Sequence, residues 1–391
     1  MGSARITVGR VASWLPAGVL AAVTALAALT RRPPDRLADL HVYVGAVSGL
    51  RHHHSLYDFI TGNGAPFTYP PFAGLVLLPL AHLPEWPIGV AWTVAKLAVV
   101  AALAVLAGRA AQAWYPRRVR PWLAPALAAA LFASAPVSSD LRFGQVSVVL
   151  ATLVLADLTL ARPRYRGVLT GLATAVKLTP LIFIPLLWLG GRRRAALTAV
   201  AACAAATGLA WAVLPGDSLR FWGTEVWRVG RLGHITTGGN QSFNGALLRL
   251  GLAGPPRALL TLAVAALVGC LALWRGARAA RAGDWLSAGI LAGAASVVIS
   301  PVSWTHHQVW LVLAAVLPVR GPAAARVAWP LLVLAVMIPP VLALGALPGP
   351  AGVLLGNLRL LLAAGVAALV PLARPPGTAS VQPQGQLAAQ V

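Results

Sequence analysis

Acidic residues are scarce in this sequence, with only nine Asp and Glu side chains among 391 residues. Charged residues of both signs make up 10% of the chain, against about 25% in soluble domains. So little charge excludes a water-soluble globular protein. Cysteine is scarce as well. Cys203 and Cys270 both lie in apolar stretches, which is typical of small buried side chains rather than of a disulfide or a metal pair.

Long apolar stretches dominate the rest of the sequence. Hydrophobic residues make up 58% of it, and the mean hydropathy is +0.77. Stretches of about 20 apolar residues cross a hydrocarbon core as helices, because a helix satisfies its backbone hydrogen bonds internally. The sequence therefore predicts an all-α, polytopic integral membrane protein with roughly 10–12 membrane segments. We expect these segments at 12–30, 70–83, 87–107, 122–137, 145–161, 167–190, 195–214, 257–274, 285–301, 306–319, 326–346 and 351–373.

The net charge is +22, which in a soluble protein would favour nucleic acid as a partner. Here the arginines flank apolar segments, as expected of cytoplasmic loops beside anionic headgroups. Since the sequence contains no soluble basic domain, we expect the membrane, and no nucleic acid, as a partner.

Arginine clusters also predict the orientation in the plasma membrane. The run Arg192-Arg193-Arg194 is expected in the cytoplasm, which places residues 31–69 and 215–256 in two large outer loops. Both termini are then cytoplasmic. We expect one membrane domain over 1–373 and a disordered cytoplasmic tail over 374–391.

Two further arginine clusters, at 117–120 and 162–166, leave two arrangements open for the first half of the chain. Strict alternation of the segments would put both clusters outside, against the positive-inside tendency. They return to the cytoplasm if segment 70–83 is re-entrant and segment 167–190 breaks near Thr179-Pro180. The loop that carries Asp39 is outside in either arrangement.

Short polar motifs interrupt the apolar background, and most belong to the predicted outer face. They are Asp39-Leu40-His41-Val42-Tyr43, Phe67-Thr68-Tyr69-Pro70-Pro71-Phe72, Phe143-Gly144-Gln145, Lys177-Leu178-Thr179-Pro180, Asn240-Gln241-Ser242 and Ser300-Pro301-Val302-Ser303-Trp304-Thr305-His306-His307. Such motifs could converge over one cavity at the membrane surface.

Taken together, this ordered set resembles the polyprenyl-phosphate-sugar-dependent glycosyltransferases of the GT-C superfamily, specifically actinobacterial glycosyltransferase family 87. Within it, the set is similar to the mannosyltransferases that extend phosphatidylinositol mannosides. The resemblance runs from Asp39 to about His307 by motif. It implies a lipid-linked mannose or arabinofuranose donor at the outer leaflet, a glycolipid acceptor and no further cofactor. It also implies that the aspartate of the first outer loop, here Asp39, is catalytic.

Inverting transfer from a β-linked polyprenyl phosphate needs one carboxylate to deprotonate the acceptor hydroxyl. A positioned general base contributes about 10²–10⁴-fold to the rate. Asp39 is the candidate for this role, and its alternative role is the N-cap of a short helix over 40–50. Asp58, in a turn-like context, is the second candidate. Most of the other acidic residues lie in ordinary loop contexts.

His306 and His307 are the other predicted catalytic residues. Adjacent residues of a helix project about 100° apart, so one imidazole could contact the donor phosphate or acceptor while the other packs against Trp304. We favour His307 for the chemical role. The alternative is an interfacial aromatic belt that includes Trp304 and Trp310.

Lys177 is a cation within an apolar run, and a phosphate is its natural partner, although snorkelling to the interface is the alternative. Gln145, Asn240 and Gln241 could bind sugar hydroxyls or cap backbone groups. The full predicted substrate-binding set is His41, Tyr43, Tyr69, Gln145, Lys177, Asn240, Gln241, Ser303 and Trp304.

We expect no metal site. The run His52-His53-His54 cannot place three imidazoles around one zinc ion without partners, and no carboxylate cluster for Mg²⁺ is visible. The expected activity is inverting transfer of mannose to a lipid-anchored glycan through an α-(1→2) linkage, the linkage following from the resemblance. The alternatives are an arabinofuranosyltransferase and a lipid or glycan transporter, although no paired repeats of the transporter kind are visible.

Overall fold

A computed structural model describes residues 12–32, 35–62 and 64–373, and all its regular secondary structure is helical. Two isolated bridges, Ile60–Pro66 and Val319–Leu372, are the only β pairing among these residues. The all-α prediction is therefore confirmed. The predicted tail over 374–391 lies outside the described residues.

The described residues form both short and long α-helices. They are α1 (Leu15–Leu29), α2 (Ala38–Gly49), α3 (Pro71–Leu77), α4 (Glu85–Ala111), α5 (Arg120–Ala133), α6 (Ala135–Phe143), α7 (Ser147–Thr159), α8 (Val168–Val176), α9 (Phe183–Leu189), α10 (Arg193–Val213), α11 (Pro215–Gly223), α12 (Phe243–Arg249), α13 (Gly254–Arg281), α14 (Trp285–Ile299), α15 (Val309–Leu313), α16 (Ala323–Met337), α17 (Gly349–Gly356) and α18 (Leu358–Ala364).

Among the described residues, only α4, α10 and α13 are helices long enough and apolar enough to cross a membrane unaided. Three bent pairs raise the number to as many as six if each pair forms one span: α5 with α6 (61°), α16 with the 3₁₀-helix Pro339–Ala346 (68°), and α17 with Leu358–Leu369 (53°). Other predicted segments form shorter apolar helices. The 15-residue helix α14, for example, rises only about 22 Å, less than the roughly 30 Å hydrocarbon core.

The predicted break in segment 167–190 is present. Helix α8 ends at Val176, Lys177 is extended (φ −153°, ψ 135°), and a 3₁₀-helix over Thr179–Ile182 leads into α9. Pro180 cannot donate a backbone hydrogen bond, so a helix through this point would lose part of its ladder. The break brings Lys177 out of a regular helix and next to other polar groups.

Helix α14 lies at the centre of the core, and nearly all its residues are buried. The indole of Trp310 packs so closely on Gly293 that a Cβ atom there would overlap the ring. Leucine and valine side chains of α1, α10 and α13 remain exposed, as expected of faces solvated by lipid.

The two large predicted outer loops contact each other through polar groups. Asp217 Oδ1, on α11, accepts hydrogen bonds from Ser55 Oγ (2.6 Å) and from the Leu56 backbone N–H (2.8 Å). Arg220 Nη2 donates to the Tyr57 carbonyl oxygen (3.3 Å). These bonds tie the loop that follows α2 to the segment that follows α10.

Candidate active site

Asp39 lies in the first turn of α2, partly buried, with its two carboxylate oxygens in different environments. Oδ2 accepts a hydrogen bond of 2.6 Å from Gln145 Nε2, whereas Oδ1 accepts none from any described residue. The N-cap position belongs to Leu37, and no side chain caps the helix. The capping alternative for Asp39 is therefore wrong, and Oδ1 is left to take up a proton.

A chain of hydrogen bonds joins Asp39 to Lys177. The Tyr69 hydroxyl donates to Gln145 Oε1 (2.7 Å) and accepts from the Tyr43 hydroxyl (2.8 Å) and from Lys177 Nζ (3.2 Å). Each donor and acceptor of the Tyr69 hydroxyl is thereby used, so neither the tyrosine nor the glutamine amide can turn without breaking a buried bond. Single hydrogen bonds of this chain thus join residues that are up to 108 positions apart.

His307 joins the same cluster, but His306 points elsewhere. Lys177 Nζ lies 2.9 Å from His307 Nε2, and the Trp304 backbone N–H donates to His307 Nδ1 (3.2 Å). The imidazole of His306 is buried and meets the rings of His307 and Phe143 at centroid distances of 4.5 and 6.3 Å. Neither of its nitrogens has a hydrogen-bond partner among the described residues. The 3₁₀ turn Thr305–Gln308 therefore directs only His307 at Lys177.

Gln145 is held in place by a buried ion pair between Lys96 and Asp140. Lys96 Nζ contacts the Asp140 carboxylate, the Asp140 carbonyl oxygen (3.0 Å) and the Gln145 carbonyl oxygen. The turn before Gln145 needs Gly144, whose φ is +70° and whose missing Cβ lets it pack on Leu40 of α2.

Sequence reasoning assigned no role to Asp140, whose side chain is fully buried. Sequence reasoning also missed Lys96. A lysine within the apolar run 87–107 was the available signal, because cations inside membrane segments are costly.

Asn240 and Gln241 brace the backbone around Ser303. Asn240 Oδ1 accepts from the Ser303 backbone N–H (2.9 Å), and the Gln241 backbone N–H donates to the Ser303 carbonyl oxygen (2.8 Å). The Gln241 amide also donates to the Gly356 carbonyl oxygen and accepts from the Leu360 N–H. Both amide side chains are thus engaged with backbone groups, and they fix the segment that leads into His307.

His41 is not part of this cluster. Its Nδ1 lies 3.2 Å from Glu85 Oε1, and both side chains are about half exposed. Trp304 is partly buried, and its indole lies against Gly233 and Gly239 of the second large loop. The substrate-binding roles predicted for these two residues remain predictions.

The two candidate bases differ in electrostatics. Burial raises the pKa of Asp39 above its ordinary value, partly offset by the hydrogen bond from Gln145 and by the charges of Lys177 and Lys96. Asp58 is exposed, and its ion pair with Arg220 Nη1 (2.5 Å) lowers its pKa. A general base works best with a pKa near the working pH, which favours Asp39.

The histidine run 52–54 is exposed to solvent. Within the described ranges, no group of three or more His, Cys, Asp or Glu side chains is placed to hold a metal ion.

Comparison with protein families matches residues 67–301 to the model of glycosyltransferase family 87. A polyprenol-phosphate-mannose-dependent alpha-(1-2)-phosphatidylinositol mannoside mannosyltransferase of Mycobacterium tuberculosis is 35% identical over 76% of this chain and 73% of its own length. A protein of the same description from Mycolicibacterium smegmatis is 39% identical over 66% of this chain and 64% of its own.

A pentamannoside mannosyltransferase of Mycolicibacterium smegmatis, also polyprenol-phosphate-mannose-dependent and alpha-(1-2) by description, is 34% identical over 73% of this chain and 70% of its own length. No solved structure matches the chain. The family match and these relatives confirm the resemblance that the motifs suggested. This chain is a glycosyltransferase and belongs to glycosyltransferase family 87.

Proposed function

We propose that the protein is an inverting mannosyltransferase that acts at the outer face of the plasma membrane. It moves mannose from polyprenyl-phosphate-mannose to a glycolipid of the phosphatidylinositol mannoside type and forms an α-(1→2) linkage. The names of the relatives support the donor, acceptor and linkage. The observation that carries the mechanism is the Asp39 carboxylate, which is held by Gln145 through one oxygen and free at the other.

In the proposed reaction, the acceptor hydroxyl attacks the anomeric carbon of the β-linked mannose on the face opposite the phosphate. Asp39 Oδ1 takes the hydroxyl proton as the new carbon–oxygen bond forms. The bond between the anomeric carbon and the phosphate oxygen breaks, and its electron pair leaves with the polyprenyl phosphate. Inversion turns the β donor into an α product.

Lys177 and His307 are placed to stabilise the charge that grows on the leaving phosphate. A preorganised cation is worth more in a partly buried site than in water, because it need not be reoriented during the reaction. Gln145, Tyr69 and Tyr43 orient Asp39, while Asn240 and Gln241 fix the Ser303 segment. The proposal requires the lipid-linked donor as co-substrate and no metal or further cofactor.

The test uses purified protein in nanodiscs, synthetic polyprenyl-phosphate-mannose and a panel of mannosylated phosphatidylinositols, with products read by mass spectrometry and digestion with an α-(1→2)-mannosidase. Asp39→Asn keeps size and hydrogen bonding but cannot take the proton, so transfer should be lost. Asp58→Asn is the matched control and should remain active. If Asp39→Asn keeps more than about a tenth of the activity, Asp39 is not the base. Polyprenyl-phosphate-arabinose in the same assay tests the other donor.

Sidedness is tested separately in intact cells. Single cysteines replace His53, Gly230 or Arg194, all exposed positions, in a chain whose Cys203 and Cys270 are changed to Ala. A membrane-impermeant maleimide should label the first two positions and not the third. The reverse pattern would place the site in the cytoplasm and refute the outer-face assignment.

A further inference from the structure

The segment that follows α10 exposes apolar side chains and buries polar ones. On α11, Asp217 and Ser218 are buried, whereas Leu219 is 67% exposed. A few residues later, the Glu225 side chain is only 4% exposed, while Trp227 is 75% exposed. A surface that faces water would be expected to show the opposite pattern. Large exposed apolar side chains over buried carboxylates therefore mark a surface that meets another apolar phase.

The buried polar groups of this segment are used inside the protein. Asp217 accepts a hydrogen bond from Ser55 of the first large loop. Glu225 pairs with Arg220 (3.0 Å) and with Arg231. Since both carboxylates are engaged in this way, the contacts that hold the segment in place leave its apolar side chains on the outside.

The exposed apolar surface continues from a membrane helix. Helix α10 is long and apolar enough to cross a membrane, and its last turn exposes Trp211 and Val213. Only Leu214 separates α10 from α11. Tryptophan is enriched where a membrane meets water, because its ring is apolar and its N–H can form a hydrogen bond. This continuity favours lipid, rather than a protein partner, as the phase that covers Leu219 and Trp227.

The same segment carries an arginine that is only weakly paired. The side chain of Arg228 is 58% exposed, and its one ion pair among the described residues is with Glu225 at 3.7 Å. Glu225 is already paired with Arg220 and Arg231. Arg220 also pairs with Asp58, so three arginines face two carboxylates and a positive charge is left over. Such a charge at a membrane surface attracts the phosphate of an anionic phospholipid.

We propose that residues 215–231 form a membrane-surface platform that binds anionic phospholipid. Leu219 and Trp227 lie at the boundary between the headgroups and the acyl chains, and Arg228 donates hydrogen bonds to the phosphate. The occupant is a bulk phospholipid of the leaflet, because the platform continues a helix whose end is exposed to lipid. Lipid binding of this kind does not depend on the transfer reaction or on which leaflet the segment faces.

The platform also connects the membrane surface with the candidate active site. Gly233 and Gly239, which follow it in the chain, lie against the indole of Trp304. Trp304 leads into the 3₁₀ turn that carries His307. A platform held among the headgroups therefore keeps this side of the site at the membrane surface, where a lipid-anchored acceptor diffuses.

The first test measures depth in the membrane. In full-length chains whose Cys203 and Cys270 are changed to Ala, Trp227→Cys carries a fluorophore, and nanodiscs contain phospholipid brominated near the headgroup end of its acyl chains. Bromine should quench this label nearly as strongly as a label at Leu262→Cys, an exposed position of the membrane helix α13. A label at His52→Cys, in the exposed histidine run, should be quenched far less.

The second test measures the preference for anionic lipid. Brominated phosphatidylglycerol should quench the label at position 227 more strongly than brominated phosphatidylcholine. Arg228→Gln should reduce this preference about fivefold, the contribution expected of one arginine at an anionic membrane surface. Added salt should also reduce it. Arg51→Gln is the matched control, since Arg51 is an exposed arginine of the first large loop, and it should leave the preference unchanged.

Three results would overturn the inference. Quenching at position 227 no stronger than at position 52 would place the segment in water. A preference that is missing, or that Arg228→Gln does not change, would show that Arg228 binds no anionic headgroup. Protection of the label by mannosylated phosphatidylinositol, but not by unbrominated phosphatidylglycerol, would make the acceptor the occupant instead. If thermal unfolding shows that Trp227→Cys does not fold, Leu219→Cys carries the label in its place.

Discussion

Replacing Lys96 by Met should strongly destabilise the protein, because Lys96 forms a buried ion pair with Asp140. Lys96 is 2% exposed and Asp140 is fully buried. The substitution removes a charge and every hydrogen bond of Nζ. Among the described residues, the Asp140 carboxylate then keeps only the Val148 N–H as a hydrogen-bond partner. Removing one member of a buried ion pair costs about 3–5 kcal/mol, because the other charge stays buried and unpaired.

The double variant Lys96→Met/Asp140→Leu separates stability from positioning. Replacement of both partners by apolar side chains is expected to recover most of the lost free energy of unfolding. It does not restore the bond from Lys96 to the Gln145 carbonyl, so the turn that orients Gln145 stays loose. Turnover should therefore remain low in a protein that is stable again.

Equilibrium unfolding in mixed micelles, followed by tryptophan fluorescence, measures the stability, and steady-state transfer in nanodiscs measures the rate. Asp58→Asn is the control, because it breaks the exposed Arg220 pair and should cost about 0–1 kcal/mol. The reasoning is refuted if Lys96→Met unfolds with the same free energy as the unaltered chain. A fully active double variant would show that the ion pair does not position Gln145.

The remaining predictions concern the cluster itself. Gln145→Leu should lower kcat by about ten- to a hundredfold with little change in donor KM, and an equal loss in both would show that Gln145 binds the donor instead. Asp39 acts as a base only when deprotonated, and burial raises its pKa above the ordinary value, so kcat/KM should fall as the pH drops through that raised pKa. Lys177→Met removes a cation that lowers this pKa, and the acid limb of the residual activity should move to higher pH; an unmoved limb would exclude Asp39 as the titrating group. His307→Ala should reduce turnover per folded molecule by about ten- to a hundredfold, whereas His306→Ala should mainly reduce thermal stability, and the opposite pattern would reverse the two assignments.

Sequence reasoning identified Asp39, Lys177 and His307 as separate candidates, because polar residues stand out in an apolar chain. It could not predict that Gln145 would join Asp39 to Tyr69, since these residues meet only after helices distant in sequence have packed. Nor could it fix the rotation of His306 and His307, which depends on a short 3₁₀ turn rather than a regular helix. The apolar segments and the break near Pro180 were predicted, whereas the bend between α5 and α6 and the bend that follows α16 were not.

The separate environments of the two Asp39 oxygens have a consequence for repeated turnover. Oδ2 keeps its bond to Gln145 whether or not Oδ1 carries a proton, so protonation need not disturb the hydrogen-bond chain that reaches Lys177. After each transfer, restoring the base then requires only that one proton leave Oδ1. No side chain of this hydrogen-bond chain has to return to an earlier position. The protein can therefore bind the next acceptor as soon as its products have dissociated.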